Sequence, residues 1–431
     1  MNTTVAFDEY KTYRDTLVEF SESLPKDWDE VPIRAIFEER NEKNLGPRTD
    51  FILSVTRDRG VIPYDEKGAI GNNKSEDIER YKVVHENDLV INKMNVVIGS
   101  LGLSKYYGAL SQVYIVLKPK TEMFDIRFYT YLFKNEPFYR SLIRYCTGIM
   151  ELRESLDKDE FKKLYLPFPK LQSQQAIANF LDKKTAQIDD AIAIKEKQIN
   201  LLKERKQIII QKAVTQGLNP EVRMKHSGVD WIGHIPEHWE IRRSKFLFTQ
   251  RKERAWKSDV QLSATQAYGV IPQNEYEELS GNTVVKITFH LDKRKHVEKD
   301  DFVISMRSFQ GGLERAWSSG CIRSSYVVLR PLEKINPDFY GYLLKLPSYI
   351  KALQRTGNFI RDGQDLNFDN FSQVDLFIPP LDEQEVIANY VKEFMISSDK
   401  GIELLNKQIA KLKEYKATLI SSAVTGKIKV A

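Results

Sequence analysis

The chain is an internal duplication: its two halves carry the same ordered series of short motifs at an offset close to 210 residues. Leu24-Pro25-Lys26-Asp27-Trp28 returns as Ile235-Pro236-Glu237-His238-Trp239, and Asn87-Asp88-Leu89-Val90-Ile91 returns as Asp300-Asp301-Phe302-Val303-Ile304. Tyr114 to Pro119 matches Tyr326 to Pro331, and Phe128 to Leu132 matches Phe339 to Leu343. Leu171 to Asn179 aligns without a gap to Leu381 to Asn389, and Ala213-Val214-Thr215 to Ala423-Val424-Thr425. Between these last anchors the two copies have equal length, whereas elsewhere loops have gained and lost residues. The Thr56–Arg59 run is placed opposite Ser263-Ala264-Thr265-Gln266.

Each copy has an irregular part and a regular part. Residues 15–165 and 230–376 mix short β-rich runs with helical stretches. Val83–Ile91, Val113–Leu117, Phe302–Ser305 and Tyr326–Leu329 read as strands, and Ile126–Leu142 and Pro337–Leu353 as amphipathic helices. The regular parts, Gln172–Gln216 and Asp382–Thr425, contain no proline and one glycine, Gly401. Apolar residues recur there at helical spacing (Ile188, Ile192, Ile199, Leu202 and Ile209; Ile402, Leu405, Ile409, Leu412 and Leu419), interrupted by Lys195, Lys206, Ser398 and Lys416. A single helix about 45 residues long is not stable with an apolar stripe exposed. The fold expected is therefore two α/β (α+β) globules separated by two long helices that pair as an antiparallel coiled coil. Such a caliper suits a target with two separated features, and half-sites on B-DNA lie about 34 Å apart.

Composition narrows the function classes. At 431 residues with 42% hydrophobic content the chain is long enough for several packed modules. No stretch has signal-peptide character or approaches a membrane span, and the two cysteines are far apart, which fits a cytoplasmic protein without a cysteine zinc module. His234 and His238 have i,i+4 spacing, but Pro236 between them argues against a helical metal pair. There is no G-x-x-x-x-G-K-[ST] phosphate loop and no [DNS]-P-P-[YFW] methyltransferase motif. Asn336-Pro337-Asp338-Phe339 comes near the latter but reads as a capped helix start. Trp28 and Trp239 are expected to seal their domains, and Gln174 and Gln384 to shape the starts of the long helices.

The pattern Pro380-Leu381, Gln384, Ile387-Ala388, a long helix, then Ala423-Val424-Thr425-Gly426 resembles the repeated conserved regions of Type I restriction-modification specificity subunits. The stretch Gly228 to Trp239 is similar to that family's opening of a target-recognition domain, and the resemblance covers nearly the whole chain. It implies target-recognition domains at 1–170 and 221–380, a central conserved helix at 171–220 and a distal one at 381–431. It further implies a non-catalytic subunit that reads one half of a split double-stranded DNA target with each domain and docks two methyltransferase subunits. Those partners would carry S-adenosylmethionine for adenine N6 methylation, this chain holding no cofactor or metal of its own, and an ATP-dependent nuclease or translocase subunit could join them.

Base readout needs Arg, Lys, Asn, Gln or Ser at groove edges. The candidates are Arg57, Arg59, Asn73, Lys74, Lys93, Asn95, Arg144 and Arg153 in the first domain. In the second they are Lys252, Arg254, Gln266, Arg307, Gln310, Arg323 and Arg361. Two other classes fit the same architecture. A stand-alone DNA-binding regulator would bind tightly without a partner, and a coiled-coil scaffold would give no base-specific protection and no steep salt dependence.

Overall fold

The structure, a computed structural model, describes residues 8–57, 59–68, 75, 77–120, 124–147, 155–305, 307–357 and 366–430. It divides into two compact units, one formed by residues 1–196 and 406–431 and the other by residues 197–405. Both boundaries fall inside long helices, Leu171–Gln216 and Leu381–Val424. Each unit therefore holds one globule together with half of each long helix.

The two globules share a topology. In the first, an antiparallel sheet has the order Phe37–Glu39, Tyr114–Pro119, Leu89–Asn92, Leu101–Leu103. In the second, the order is Phe248–Arg251, Val327–Pro331, Phe302–Ile304, Glu314–Arg315. A separate hairpin accompanies each sheet, Leu53–Thr56 with Gly60–Pro63 and Leu262–Thr265 with Gly269–Pro272.

Several expected elements are broken, for identifiable reasons. The run Val83–Ile91 is two strands, Lys82–Val84 and Leu89–Asn92, separated by a turn in which Asn87 has φ +68. The Asp88 carboxylate closes that turn by accepting from His85 N at 2.8 Å, and Arg40, just after the edge strand Phe37–Glu39, grips it. Asp301, Glu298 and Arg251 repeat the arrangement, with φ +72 at Asp300. The expected helix Ile126–Leu142 splits into Ile126–Lys134 and Glu136–Ser141, and Pro337–Leu353 into Pro337–Leu343 and Pro347–Arg355. Leu346 is held extended by the proline that follows it, and Asn135 is likewise extended just before Glu136-Pro137. Asn336 caps its helix by accepting from Phe339 N, as the sequence suggests.

Inside each unit the long helices pair antiparallel. In the first, Asp189 meets Lys416 at 2.6 Å and Lys195 donates to Gln408 at 2.6 Å, over the buried Ile188, Ile192 and Ile409. In the second, Lys206 meets Asp399 at 2.6 Å. The lysines that interrupt the apolar seam thus reach across it to polar partners, and the two ion pairs are repeat equivalents.

The paired motifs also find their physical reason. Gln174 is buried; its amide accepts from Asp125 N at 2.8 Å and donates to the Pro169 carbonyl at 2.7 Å. Gln384 does the same with Asn336 N (2.9 Å) and the Pro379 carbonyl (2.8 Å). Each glutamine therefore ties the start of a long helix to the N-cap of a globule helix. Gly217 and Gly426 leave their helices at positive φ, the left-handed ending that glycine permits. A Cβ on Gly426 would stand 2.6 Å from Pro25 Cδ and 3.3 Å from the Trp28 ring. Gly217 lies against Trp239, which is fully buried and donates to Glu383 at 3.0 Å. The Ala-Val-Thr helix ending with its glycine and the tryptophan motif are two halves of one joint. Among the described residues, no helix is long and apolar enough to cross a membrane.

Candidate nucleic-acid interface

The hairpins of the two globules share one backbone register and carry different side chains at their tips. Gly60-Val61-Ile62-Pro63 and Gly269-Val270-Ile271-Pro272 are identical and pair in the same register with the preceding strand. This corrects the placement from sequence: Thr56 corresponds to Thr265, so Thr56–Arg59 lies opposite Thr265–Tyr268 and not opposite Ser263–Gln266. Each threonine hydroxyl locks its tip. Thr56 Oγ1 donates to Gly60 O (3.4 Å) and accepts from Arg59 N (3.3 Å). Thr265 Oγ1 donates to Gly269 O (3.1 Å) and accepts from Tyr268 N (3.0 Å). On these matched frames one tip presents the exposed Arg57 and Arg59, and the other presents Gln266 and Tyr268.

In the second unit the tip borders a cleft of about 920 Å³ that gathers Gln266, Arg307, Gln310 and Arg323. Three separate segments bring them together: the hairpin tip, the helical turn Ser308–Gly311, and the bend after Gly320–Ile322. Gln266 Nε2 donates to the Arg307 carbonyl at 3.3 Å, and Lys345 Nζ donates to the Gln266 carbonyl at 3.2 Å. Gly311 makes the crossing possible, because a Cβ there would fall on the Gln266 amide. Beneath the tip, Lys345 stands 2.7 Å from the buried Glu314 carboxylate. Burial pushes the Glu314 carboxyl above its usual range, and Lys345 opposes that shift.

The lining also contains residues that the sequence did not single out. Tyr268, Tyr276 and Tyr326 supply aromatic surface, and Arg294 supplies a third guanidinium. Arg294 is 5% exposed and its Nε has no hydrogen-bond partner. With Arg294, Arg307 and Arg323 and no Asp or Glu in the lining, the cleft is positive throughout. Arg294 was hidden because its repeat counterpart is Tyr81, so the duplication marks the position as variable without marking it as a reader. Lys252 and Arg254 are exposed but do not line this cleft. They follow the strand Phe248–Arg251, where Arg254 bridges to Lys295.

In the first unit Arg57 and Arg59 project from the tip, Arg59 engaging the Glu66 carboxylate. Lys93 and Asn95 sit in the turn after Leu89–Asn92, the place that Arg307 and Gln310 occupy in the second. The Lys93 and Asn95 carbonyls accept from Leu156 N (3.0 Å) and Ser100 N (3.1 Å), which fixes that turn. Arg144 is exposed and within 3.7 Å of Glu19. Asn73, Lys74, Arg153 and Arg361 lie outside the described residues. Among the described residues, no group of His, Cys, Asp and Glu could hold a metal ion.

Comparison with known proteins identifies the family. Residues 25–204 and 236–414 each match the Type I restriction modification DNA specificity domain. The chain is 24% identical, over 94% of its length and 95% of the relative's, to the type I restriction enzyme MjaX specificity subunit of Methanocaldococcus jannaschii. It is 25% identical to the MjaVIII specificity subunit of the same organism, over 94% of each chain. Among solved structures, a chain from work on complex assembly and conformational transition of the type I R-M system superposes with a TM-score of 0.67. That match is 13% identical and covers 94% of this chain and 99% of the other. The HsdS subunit from Thermoanaerobacter tengcongensis superposes at 0.55, with 14% identity and coverage of 94% and 98%.

Proposed function

This chain belongs to the family of Type I restriction-modification DNA specificity subunits, and from that premise we propose that it reads a split, asymmetric DNA target, one half with each globule. The observation that carries the reading is the pair of hairpin tips. They share one backbone frame and one threonine lock, yet one offers two arginines where the other offers a glutamine and a tyrosine. Arginine favours the O6 and N7 edge of guanine and glutamine favours adenine, so unlike tips select unlike half-sites. The recognition domains are assigned to residues 1–170 and 221–380.

The long helices set the gap between half-sites and dock two methyltransferase subunits. At 46 and 44 residues each spans roughly 65 Å or more. In the second unit Leu201, Ile208, Ile396 and Leu404 remain open to solvent on these helices, apolar surface that a partner helix would cover. The chain itself is non-catalytic in this reading. S-adenosylmethionine and the flipped adenine belong to the methyltransferase subunits, and ATP-driven translocation to a nuclease subunit.

Deleting the gene and mapping modified adenines across the host genome by single-molecule sequencing tests this. Loss of methylation at one split motif is the expected result and reveals both half-sites and the gap. Retention of every methylated motif in a host whose methyltransferase subunits are expressed would refute it.

A further inference from the structure

We propose that the cleft between the Lys134–Tyr139 corner and the two long helices of the first unit is a phosphate-binding site, which holds a DNA backbone phosphodiester beside the reading hairpin. The proposal rests on the DNA-reading function and adds to it a point of attachment outside the hairpin tips, on the long helices themselves.

The cleft has a volume of about 780 Å³, and Lys134, Lys413, Lys416 and Lys427 line it. Two acids also face it, and both are occupied: Glu136 by Arg140 at 2.6 Å, Asp189 by Lys416 at 2.6 Å. Lys134, Lys413 and Lys427 have no acidic partner among the described residues, and all three reach solvent. Ser421, Ser422 and Tyr139 add hydroxyls that can donate to an oxyanion.

The duplication shows that this excess of positive charge is peculiar to the first unit. Lys134 is the repeat counterpart of Lys345, and Lys345 is neutralised by the buried Glu314 at 2.7 Å. In the sheet, Glu314 pairs with Val303, and the matching strand position opposite Val90 is Gly102. The first unit therefore keeps the lysine and lacks its carboxylate. Enclosure by the protein, and the like charges of Lys105 and Lys416, hold the Lys134 ammonium below the usual lysine range although its surface remains open. A site short of negative charge in this way is completed by an anion.

Position identifies the anion. Lys134 Nζ lies 3.7 Å from where a Cβ on Gly60 would stand, and Gly60 closes the hairpin whose tip carries Arg57 and Arg59. Arg57 in turn acts electrostatically on Tyr139 in the cleft wall. Positive charge therefore runs from the reading tip to the helices, where the backbone of a strand read by the tip would meet it. Lysine ammoniums are point donors that hold phosphate without demanding a fixed fork geometry. Phosphate oxygens have two sources, the DNA backbone and a free polyphosphate, and the test separates them.

The chain assembled with its methyltransferase subunits, and the same assembly carrying Lys134→Gln, Lys413→Gln and Lys427→Gln, single and combined, would be titrated with a random-sequence DNA duplex at several KCl concentrations. Tripolyphosphate would be titrated in parallel by calorimetry. With DNA as the source, each substitution weakens binding and lowers the slope of log K against log salt by about 0.9 for each phosphate that is no longer neutralised. Lys134→Arg should restore the slope, since it returns the charge. An unchanged duplex slope with loss of tripolyphosphate binding supports the site and assigns it to a free polyphosphate. A triple variant that matches the parent in both titrations overturns the proposal. Failure of the parent assembly to bind duplex with any salt dependence would instead overturn the DNA-reading function on which it stands.

Discussion

Replacing Gln384 by alanine should loosen the joint between the second globule and its long helix. The cost follows from the two bonds removed. The bond to the Pro379 carbonyl at 2.8 Å is fully buried, and an unmet buried acceptor costs about 1–3 kcal/mol. The bond from Asn336 N at 2.9 Å is partly buried and contributes nearer to 1 kcal/mol. Together the loss is about 2–4 kcal/mol. It falls on a local opening, because the two-unit chain need not unfold as one cooperative block.

Amide hydrogen exchange reads that opening directly. The Asn336 amide should exchange about 30- to 1000-fold faster in the variant, since each 1.4 kcal/mol corresponds to roughly tenfold. Gln174→Ala makes an independent replicate at the Asp125 amide, where the bonds measure 2.8 and 2.7 Å. Gln384→Glu separates the two roles, because the carboxylate still accepts from Asn336 N but cannot donate to the carbonyl. It should preserve Asn336 protection better than alanine while still costing stability. If Asn336 and Asp125 kept full protection in the alanine variants, the glutamines would not be holding these joints, and the structural reason for the repeated motif would be wrong.

Three further expectations concern charge and readout. Charge reversal at Lys206→Asp should lower the coil's stability to urea by about 0.3–1 kcal/mol, with recovery in the double variant Lys206→Asp, Asp399→Lys and a smaller effect at high salt. Arg294→Met should weaken target binding by about 1–3 kcal/mol, with base preference relaxed only in the half-site read by the second globule; relaxation of both halves would remove Arg294 from the reading cleft. His296 is buried, stacks on Trp256 at 3.8 Å, and bonds to Asp259 and Glu298 at 2.9 Å each. Burial opposes its charge, but the two carboxylates prevail and raise its pKa. A raised folded value means that the stabilisation is complete below the unfolded value, about 6.5, and is lost as pH rises through the folded one. The melting temperature of the second unit should therefore fall as pH rises through that window, and His296→Gln should remove the dependence.

Much of this fold is legible in the sequence because it is written there twice. The long helices were readable nearly to their ends, since a helical apolar period sustained over about 45 residues without proline has few alternative structures. The helix breaks near Asn135 and Leu346 were harder to see, although Pro137 and Pro347 carry the signal, because the amphipathic pattern continues through them. The turn at Asn87 was hidden for a different reason: it depends on Asp88 being gripped by Arg40, which is distant in sequence. At the reading surface the sequence supplied residue types without their assembly. Gln266, Arg307, Gln310 and Arg323 share one cleft, whereas Lys252 and Arg254 have the same chemistry and do not line it.

The duplication also explains why repeated and variable features are distributed as they are within this one chain. Residues that repeat faithfully (the glutamines, the hairpin sequence Gly-Val-Ile-Pro, the arginine–aspartate clamps) have partners that are themselves repeated, so a change on one side leaves a buried group unmet, and the tryptophans repeat against the equally repeated Gly217 and Gly426. Residues that differ between copies stand on those frames: Arg57 and Arg59 against Gln266 and Tyr268 at the tips, and the buried Tyr81 against Arg294, which lines the cleft. Such an arrangement lets each globule change what it touches without disturbing how it is held. It follows that exchanging Arg57-Asp58-Arg59 for Gln-Ala-Tyr should leave both Thr56 hydrogen bonds and the chain's stability nearly unchanged while altering only the first globule's half-site. An altered second half-site would show that the tips are not separate readers, and a collapse in stability would show that the frame depends on what it displays.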